Sequence, residues 1–276
     1  MSKTITSSKT KILVESAIMV AIATVLSMIK LLDLPYGGAV TIASMLPVII
    51  IGYRHGIRSG LVAGLVFGII QQLLDLNTLS YVTTWQSIVA VILLDYIIAF
   101  LVIGLGGMFR KSSSLTQPVA IALGTVVVCL LRYICHVISG ATVWAGLSIP
   151  DEAALLYSFG YNATYMVPET IVTAVVGYYV SSILDLSHDT IVPFAGGKRK
   201  SIPVWKWVGG LLLSAVLVFD VRNIFAHLQN ADSGEFDVTG LAGVNWLMLV
   251  VATAICCVVA FVMFKLVPQK RETARS

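Results

Sequence analysis

The chain alternates long apolar runs with short polar segments, and most of the runs are long enough to cross a bilayer as a helix. About 20 apolar residues span the roughly 30 Å hydrocarbon core. Counted in those units, the pattern predicts eight crossings, near residues 12–32, 40–53, 57–75, 87–109, 117–139, 156–184, 204–221 and 242–266. The second run is short and contains Pro47. It is expected to be broken or tilted, and seven crossings result if it only re-enters the membrane. The expected fold class is an all-α integral membrane protein.

The polar segments alternate in charge. Lys3, Lys9 and Lys11 precede the first run, Arg54 and Arg58 follow the second, and Arg110 and Lys111 follow the fourth. Lys198, Arg199 and Lys200 follow the sixth, and Lys270, Arg271 and Arg275 follow the eighth. The intervening segments 33–39, 76–86, 140–155 and 223–241 carry neither Lys nor Arg. Cytoplasmic loops retain positive charge, so eight crossings with both termini in the cytoplasm fit every segment, and the second run counts as a true crossing.

Composition narrows the function classes. The chain is 58% hydrophobic and 12% charged, with a mean hydropathy of +0.93, which is too little charge for a water-facing surface. The net charge of +4 reports topology rather than nucleic-acid binding, which needs a concentrated basic surface. The first run is longer than a signal-peptide core and lacks a small-x-small cleavage site, so it is expected to be retained. Cys129, Cys135, Cys256 and Cys257 lie in apolar runs without metal-ligand spacing and are expected to pack in apolar surroundings. No metal or cofactor is expected.

Against this background the ionisable residues inside the runs stand out: Asp95, Arg132, His136 and Glu169. A charge at the centre of a spanning helix costs roughly 2.5 to 3.5 kcal/mol on insertion scales, so such groups pair, face a cavity or serve a ligand. At about 1.5 Å per residue, Asp95, Arg132, His136 and Asn162 all fall in the outer half of the membrane. Arg132 and His136 share one helix face, and the short 110–116 connection places the fourth and fifth runs side by side, within reach of Asp95 and Tyr96. Trp144, Tyr157, Tyr161 and Tyr165 gather at the same depth. Two readings stay open for most of these groups. The aromatics serve either as an interfacial belt, the preferred reading for Trp85, or as pocket walls. Asp95 and Arg132 form either a buried ion pair or part of a site. Glu169 follows Pro168, whose missing N–H frees backbone groups that need partners, so its role is structural or ligand-binding.

Four stretches carry a family resemblance: LPYGGAVTIASMLPVIIIGYRHGIRSGLVAG (34–64), LLDYIIAF (93–100), RYICHVISGATVWAG (132–146) and YSFGYNATYMVPE (157–169). Over residues 12–185 the chain resembles the thiamine-specific substrate-binding (S) components of energy-coupling factor (ECF) transporters, the ThiT family. The resemblance implies a six-helix S-component fold that takes thiamine from outside. It also implies docking on a transmembrane coupling subunit driven by two cytoplasmic ATPases, the S component itself hydrolysing nothing. In keeping with this, the chain has no GxxxxGK[ST] phosphate loop. Residue by residue, the resemblance assigns ligand binding to Asp95, Tyr96, His136, Trp144, Tyr157 and Asn162, and coupling-subunit docking to Ala17 and Ala21. Arg132, Tyr161 and Glu169 are further candidates for binding or structure. A thiazolium cation suits a carboxylate and aromatic faces, and an aminopyrimidine suits paired donors and acceptors.

The chain departs from the family pattern in three ways. No tryptophan stands on the third run, where Phe67 is the nearest large ring, and Ile97 replaces the proline often found after the acidic residue and tyrosine. Residues 186–276 have no equivalent in six-span members. They divide into a basic linker (186–203) and a two-span hairpin (204–276), following an S-component domain over 1–185. Asp220, Arg222 and His227 are expected to form a salt-bridged helix end. The hairpin is expected to pack beside the S-component fold or to alter its docking, its removal leaving ligand binding intact. Alternatives are an S component for another vitamin or a thiamine precursor, a stand-alone secondary transporter, and an intramembrane enzyme using His136 and Asp95. The enzyme lacks a nucleophile motif or a metal-ligand set, and no repeated halves support the secondary transporter.

Overall fold

The computed structural model describes residues 9–34, 37–82, 84–144, 154–194, 204–228 and 238–265. Lys3, the linker basics Lys198, Arg199 and Lys200, and the C-terminal Lys270, Arg271 and Arg275 lie outside these residues. Among them, seven helical stretches are long and apolar enough to cross a membrane. They are α1 (Lys9–Met28), α3 (Ile57–Leu74), a continuous stretch over Trp85–Gly107, α6 (Gln117–Thr142), α7 (Ala154–Ile183), α8 (Val204–Leu228) and α9 (Trp246–Lys265). The stretch over Trp85–Gly107 is made of α4 (Trp85–Val91), a π-helical segment (Ile92–Ile98), α5 (Ala99–Leu101) and a 3₁₀ end (Val102–Gly107).

The second apolar run folds differently from a spanning helix. It begins as a strand pair, β1 (Lys30–Asp33) and antiparallel β2 (Ala39–Thr41), bends, and only then enters α2 (Leu46–His55). At about 1.5 Å per residue, the 10 residues of α2 cover half a bilayer. The chain nevertheless completes the passage. Arg54, at the end of α2, donates from Nε and Nη2 to Glu15 near the start of α1, so 29–55 returns from the far end of α1 to its near end. The eighth crossing is thus part strand and part helix. Such irregular backbone is tolerated at membrane depth only where protein or a cavity surrounds it, and Val40, Ala43, Met45, Val48 and Ile49 are almost fully buried.

Two local features make this passage possible. Thr41 Oγ1 accepts from the Ser44 N–H (3.3 Å) and lies 2.8 Å from Ser44 Oγ, holding the bend in which Ala43 takes φ 54°. At the other end, Gly56 adopts φ 93° and its N–H bonds the Gly52 carbonyl, so the chain reverses directly into α3. A side chain there would be strained, and its Cβ would lie 2.8 Å from Arg110 Nη1.

The same end gathers the described basic residues that follow the apolar runs. Arg54 donates to the carbonyls of Leu186 (2.9 Å), His188 (3.1 Å) and Asp189 (3.1 Å). Lys11 pairs with Asp189, and Arg110 donates to the Arg54 carbonyl. Lys30 is the exception to the alternation. Because α1 stops at Met28, Lys30 emerges in β1 at the opposite end, where Asp33 neutralises it at 2.9 Å.

Glycines bring the central helices into backbone contact. A Cβ on Gly104 would lie 2.1 Å from the Gly60 carbonyl carbon, and one on Gly124 2.1 Å from the Gly106 oxygen. Small residues are the usual means of close helix approach in membranes, where helix pairs associate by packing rather than by the hydrophobic effect. The C-terminal hairpin packs α8 on both α7 and α9. Its polar residues do not form the expected salt-bridged end. Asp220 instead accepts from Thr253 of α9, and His227 Nδ1 lies 2.8 Å from the Asn223 carbonyl. α9 exposes Leu247, Val250, Ile255, Val258 and Phe261, as a lipid-facing helix should. Cys257 lies on this exposed surface, whereas Cys129 is buried.

Candidate ligand-binding cavity

The polar residues of the apolar runs converge on a cavity of about 390 Å³ between β1–β2, α3, the Trp85–Gly107 stretch, α6 and α7. It lies toward the end opposite the Arg54 cluster and reaches the surface at Met28, Lys30 and Leu74. Its lining includes Asp95, Tyr96, Phe100, Arg132, His136, Trp144, Tyr161, Asn162, Tyr165 and Glu169. Adjacent residues on an α-helix point about 100° apart, yet Asp95 and Tyr96 both line the cavity. Both belong to the π-helical segment, whose wider turn is a frequent feature of functional sites.

Asp95 is the hub of the polar network. Its Oδ1 lies 2.8 Å from His136 Nδ1, and its Oδ2 accepts from Ser139 Oγ (2.6 Å) and from Trp144 Nε1 (3.3 Å). Ser139 and Gly140 lie one turn beyond His136 on α6, and Gly140 allows Ser158 and Asn162 of α7 to approach. Partial burial among the helices makes each of these bonds count for more than it would in bulk water. With Nδ1–H donating to Asp95, the buried His136 Nε2, which has no protein partner, is left as an acceptor.

The arrangement departs from the sequence expectations at several residues. Asp95 does not pair with Arg132. The Arg132 guanidinium instead lies over the Phe100 ring at 4.2 Å and contacts Met45 Sδ at 3.2 Å. Phe67 forms no wall; it is buried behind Phe100, edge-on at 5.2 Å. Asn162 lines the cavity, but its amide is spent on the protein. Nδ2 donates to Ser158 O (2.9 Å) and His136 O (3.3 Å), while Oδ1 accepts from Tyr165 Oη (2.5 Å). Tyr157 is half-buried on α7 and is not among the lining residues. Glu169 accepts from the Thr41 N–H (2.6 Å) and Thr41 Oγ1 (2.8 Å), tying β2 to α7.

Several lining residues, Asp75, Phe100 and Thr41 among them, carried no such expectation. Asp75 closes α3 and accepts from Tyr96 Oη at 2.7 Å; at the edge of a loop between apolar runs it carried no intramembrane signal. Tyr165, four residues after Tyr161 on the same helix face, lines the cavity, the pocket-wall reading that the sequence leaves open beside the interfacial belt.

A multi-helix membrane protein enclosing an aromatic, hydrogen-bonded cavity at one end belongs to the class of membrane-embedded small-molecule binders. Residues 13–186 match the model of the thiamine transporter protein family (Thia_YuaJ), and the chain belongs to that family. It is 37% identical over 174 residues to the thiamine transporter ThiT of Bacillus subtilis (strain 168), covering 59% of this chain and 86% of that protein. A solved structure of ThiT from Listeria monocytogenes matches in fold, with a TM-score of 0.50 and 24% identity over 61% of this chain and 92% of that one. The family is one of transporters rather than enzymes, and α8 and α9 lie beyond the matched residues.

Proposed function

We propose that the chain is the thiamine-capturing S component of an ATP-driven ECF uptake transporter, with the cavity around Asp95 as its thiamine site. The observation that carries this reading is the Asp95–His136–Ser139–Trp144 network in an aromatic cavity remote from the basic end. Asp95 offsets the thiazolium charge in a medium where an unpaired cation is costly. Tyr161, Tyr165, Phe100 and Trp144 offer ring faces to the cation, and His136 Nε2 accepts from the aminopyrimidine amine. Tyr96 is positioned by Asp75, and Asn162 acts by holding Tyr165 and the His136 carbonyl. Tyr157 supports α7 from outside the cavity. Arg132 braces Phe100, and Glu169 anchors β2.

The docking assignment rests on α1, where Ala17 and Ala21 are exposed on one face, a surface suited to close approach by a helix of the coupling subunit. With the Arg54 cluster on the cytoplasmic side, both termini lie inside and the cavity faces out. Residues 1–185 form the binding unit, 186–203 a cytoplasmic linker and 204–276 an appended hairpin.

Thiamine titration of the purified protein, followed by tryptophan fluorescence, tests the site. Saturable quenching that weakens in Asp95→Asn and Trp144→Ala is the expected result. A flat titration of folded protein would refute thiamine as ligand and turn the search to other vitamins or thiamine precursors.

A further inference from the structure

The appended hairpin reaches the cavity's border. α8 runs antiparallel to α7: Gly210, near its start, packs on Val175 and Tyr179 toward the end of α7. Its C-terminal end therefore arrives at the opposite face of the membrane, where the cavity reaches the surface. There α8 packs against β1. Leu228, the last residue of α8, is 6% exposed and, like Leu32 of β1 (7%) and Leu34 (5%), belongs to the apolar core of the protein. Val221, Ile224 and Leu241 pack against that core.

The β1–β2 hairpin borders the cavity directly, since Lys30, Gly37, Gly38, Ala39 and Thr41 line it. Its hold on the rest of the protein is uneven. β2 is tied to α7 through Thr41 and Glu169. β1 has three of its four residues exposed, with Leu32 as its buried contact. A two-stranded hairpin is marginal by itself and depends on what packs against it.

We propose that Leu228 and the outer end of α8 are positioning elements for the β1–β2 hairpin, and that they slow exchange of ligand between the cavity and the outside. The kinetic part rests on the thiamine reading above; the buttress itself does not. Opening the border of the cavity requires β1 to leave its apolar seat, and every contact made there by α8 must be broken first. Segments that open locally are those with few buried apolar contacts, and α8 adds contacts to a strand that otherwise has few. On this account the C-terminal hairpin is not a passive addition: it changes the rate of exchange more than the set of groups that touch the ligand.

The full-length chain is compared with Leu228→Ala, Leu228→Val, Leu228→Ile and the lipid-exposed control Leu247→Ala. Two readouts are used: amide hydrogen exchange of residues 30–41 without ligand, and the dissociation rate of thiamine by stopped-flow tryptophan fluorescence. Leu228→Ala should speed both by about tenfold, since a buried leucine loses much of its packing on truncation. Leu228→Val should fall between, and Leu228→Ile and Leu247→Ala should behave as the parent. Unchanged exchange in Leu228→Ala and Leu228→Val would overturn the buttress. Faster exchange of the hairpin with an unchanged dissociation rate would overturn its effect on the cavity. If the parent chain bound no thiamine, the ligand assignment would fail, and hydrogen exchange alone would decide the buttress.

Discussion

Asp95 illustrates how one side chain organises a membrane-embedded site. A lone carboxylate in hydrocarbon is strongly disfavoured, but here three donors converge on its two oxygens, and a carboxylate has about four acceptor positions to fill. Asp95→Asn keeps the shape and removes both the charge and an acceptor, leaving the Ser139, His136 and Trp144 donors to compete for one amide oxygen. Hydrogen bonds to charged groups contribute roughly 1.5–3 kcal/mol, so thiamine binding should weaken by about 10- to 100-fold in the fluorescence titration. His136→Gln should lose affinity to a similar degree while Tyr157→Phe stays close to the parent, a contrast that separates lining from non-lining positions.

At the scale of elements, the decisive features are the irregular ones. The strand-to-helix passage over 39–55 depends on Glu169 binding Thr41 across from α7. Glu169→Gln replaces a carboxylate oxygen with an amide donor facing a donor, and should destabilise the fold by about 1–3 kcal/mol, read as a lower Tm in detergent and faster proteolysis near residues 34–45. The helix contacts at Gly60 and Gly104 leave no room for a methyl group: a Cβ on Gly60 would sit 2.3 Å from the Gly104 oxygen. Gly60→Ala should cost about 1–3 kcal/mol or more through forced separation of the helices, whereas Gly160→Ala, whose Cβ would meet nothing within 4 Å, should leave Tm unchanged.

For the molecule as a whole, one ionic cluster joins the two ends of the family-matched region. The Arg54 side chain is only 2% exposed, and its fork bridges Glu15, near the start of the chain, to three carbonyls at 186–189. Arg54→Lys cannot reproduce this fork, because a single ammonium cannot span partners on both sides. A loss of about 1.5–3 kcal/mol is expected, because the carbonyls at 186–189 lose charged donors while the pairing with Glu15 is kept, measured by thermal unfolding. The hairpin over α8 and α9 binds the fold at a different place, along α7 and at β1, so its effects should be separable from those of Arg54.

Much of this was legible in the order of residues. Long apolar runs and alternating basic segments dictate how many times the chain crosses and which ends gather, because hydrocarbon excludes unpaired backbone and charge wherever it meets them. The i, i+4 spacing of Arg132 and His136 and the tyrosine series on α7 likewise declare a shared face. What the tertiary structure decided is partnership. Arg132 and His136 both face Asp95's neighbourhood, and only packing selects His136 as the partner and places Arg132 over Phe100. The second apolar run has the composition of a helix, yet half of it is strand and bend, because Thr41 finds a carboxylate 128 residues away. Asp75 and Leu228 bear on the cavity through contacts distant in sequence. Periodicity is a local property and can be read from the chain; the choice among equally apolar or equally polar neighbours is made only when the helices close on one another.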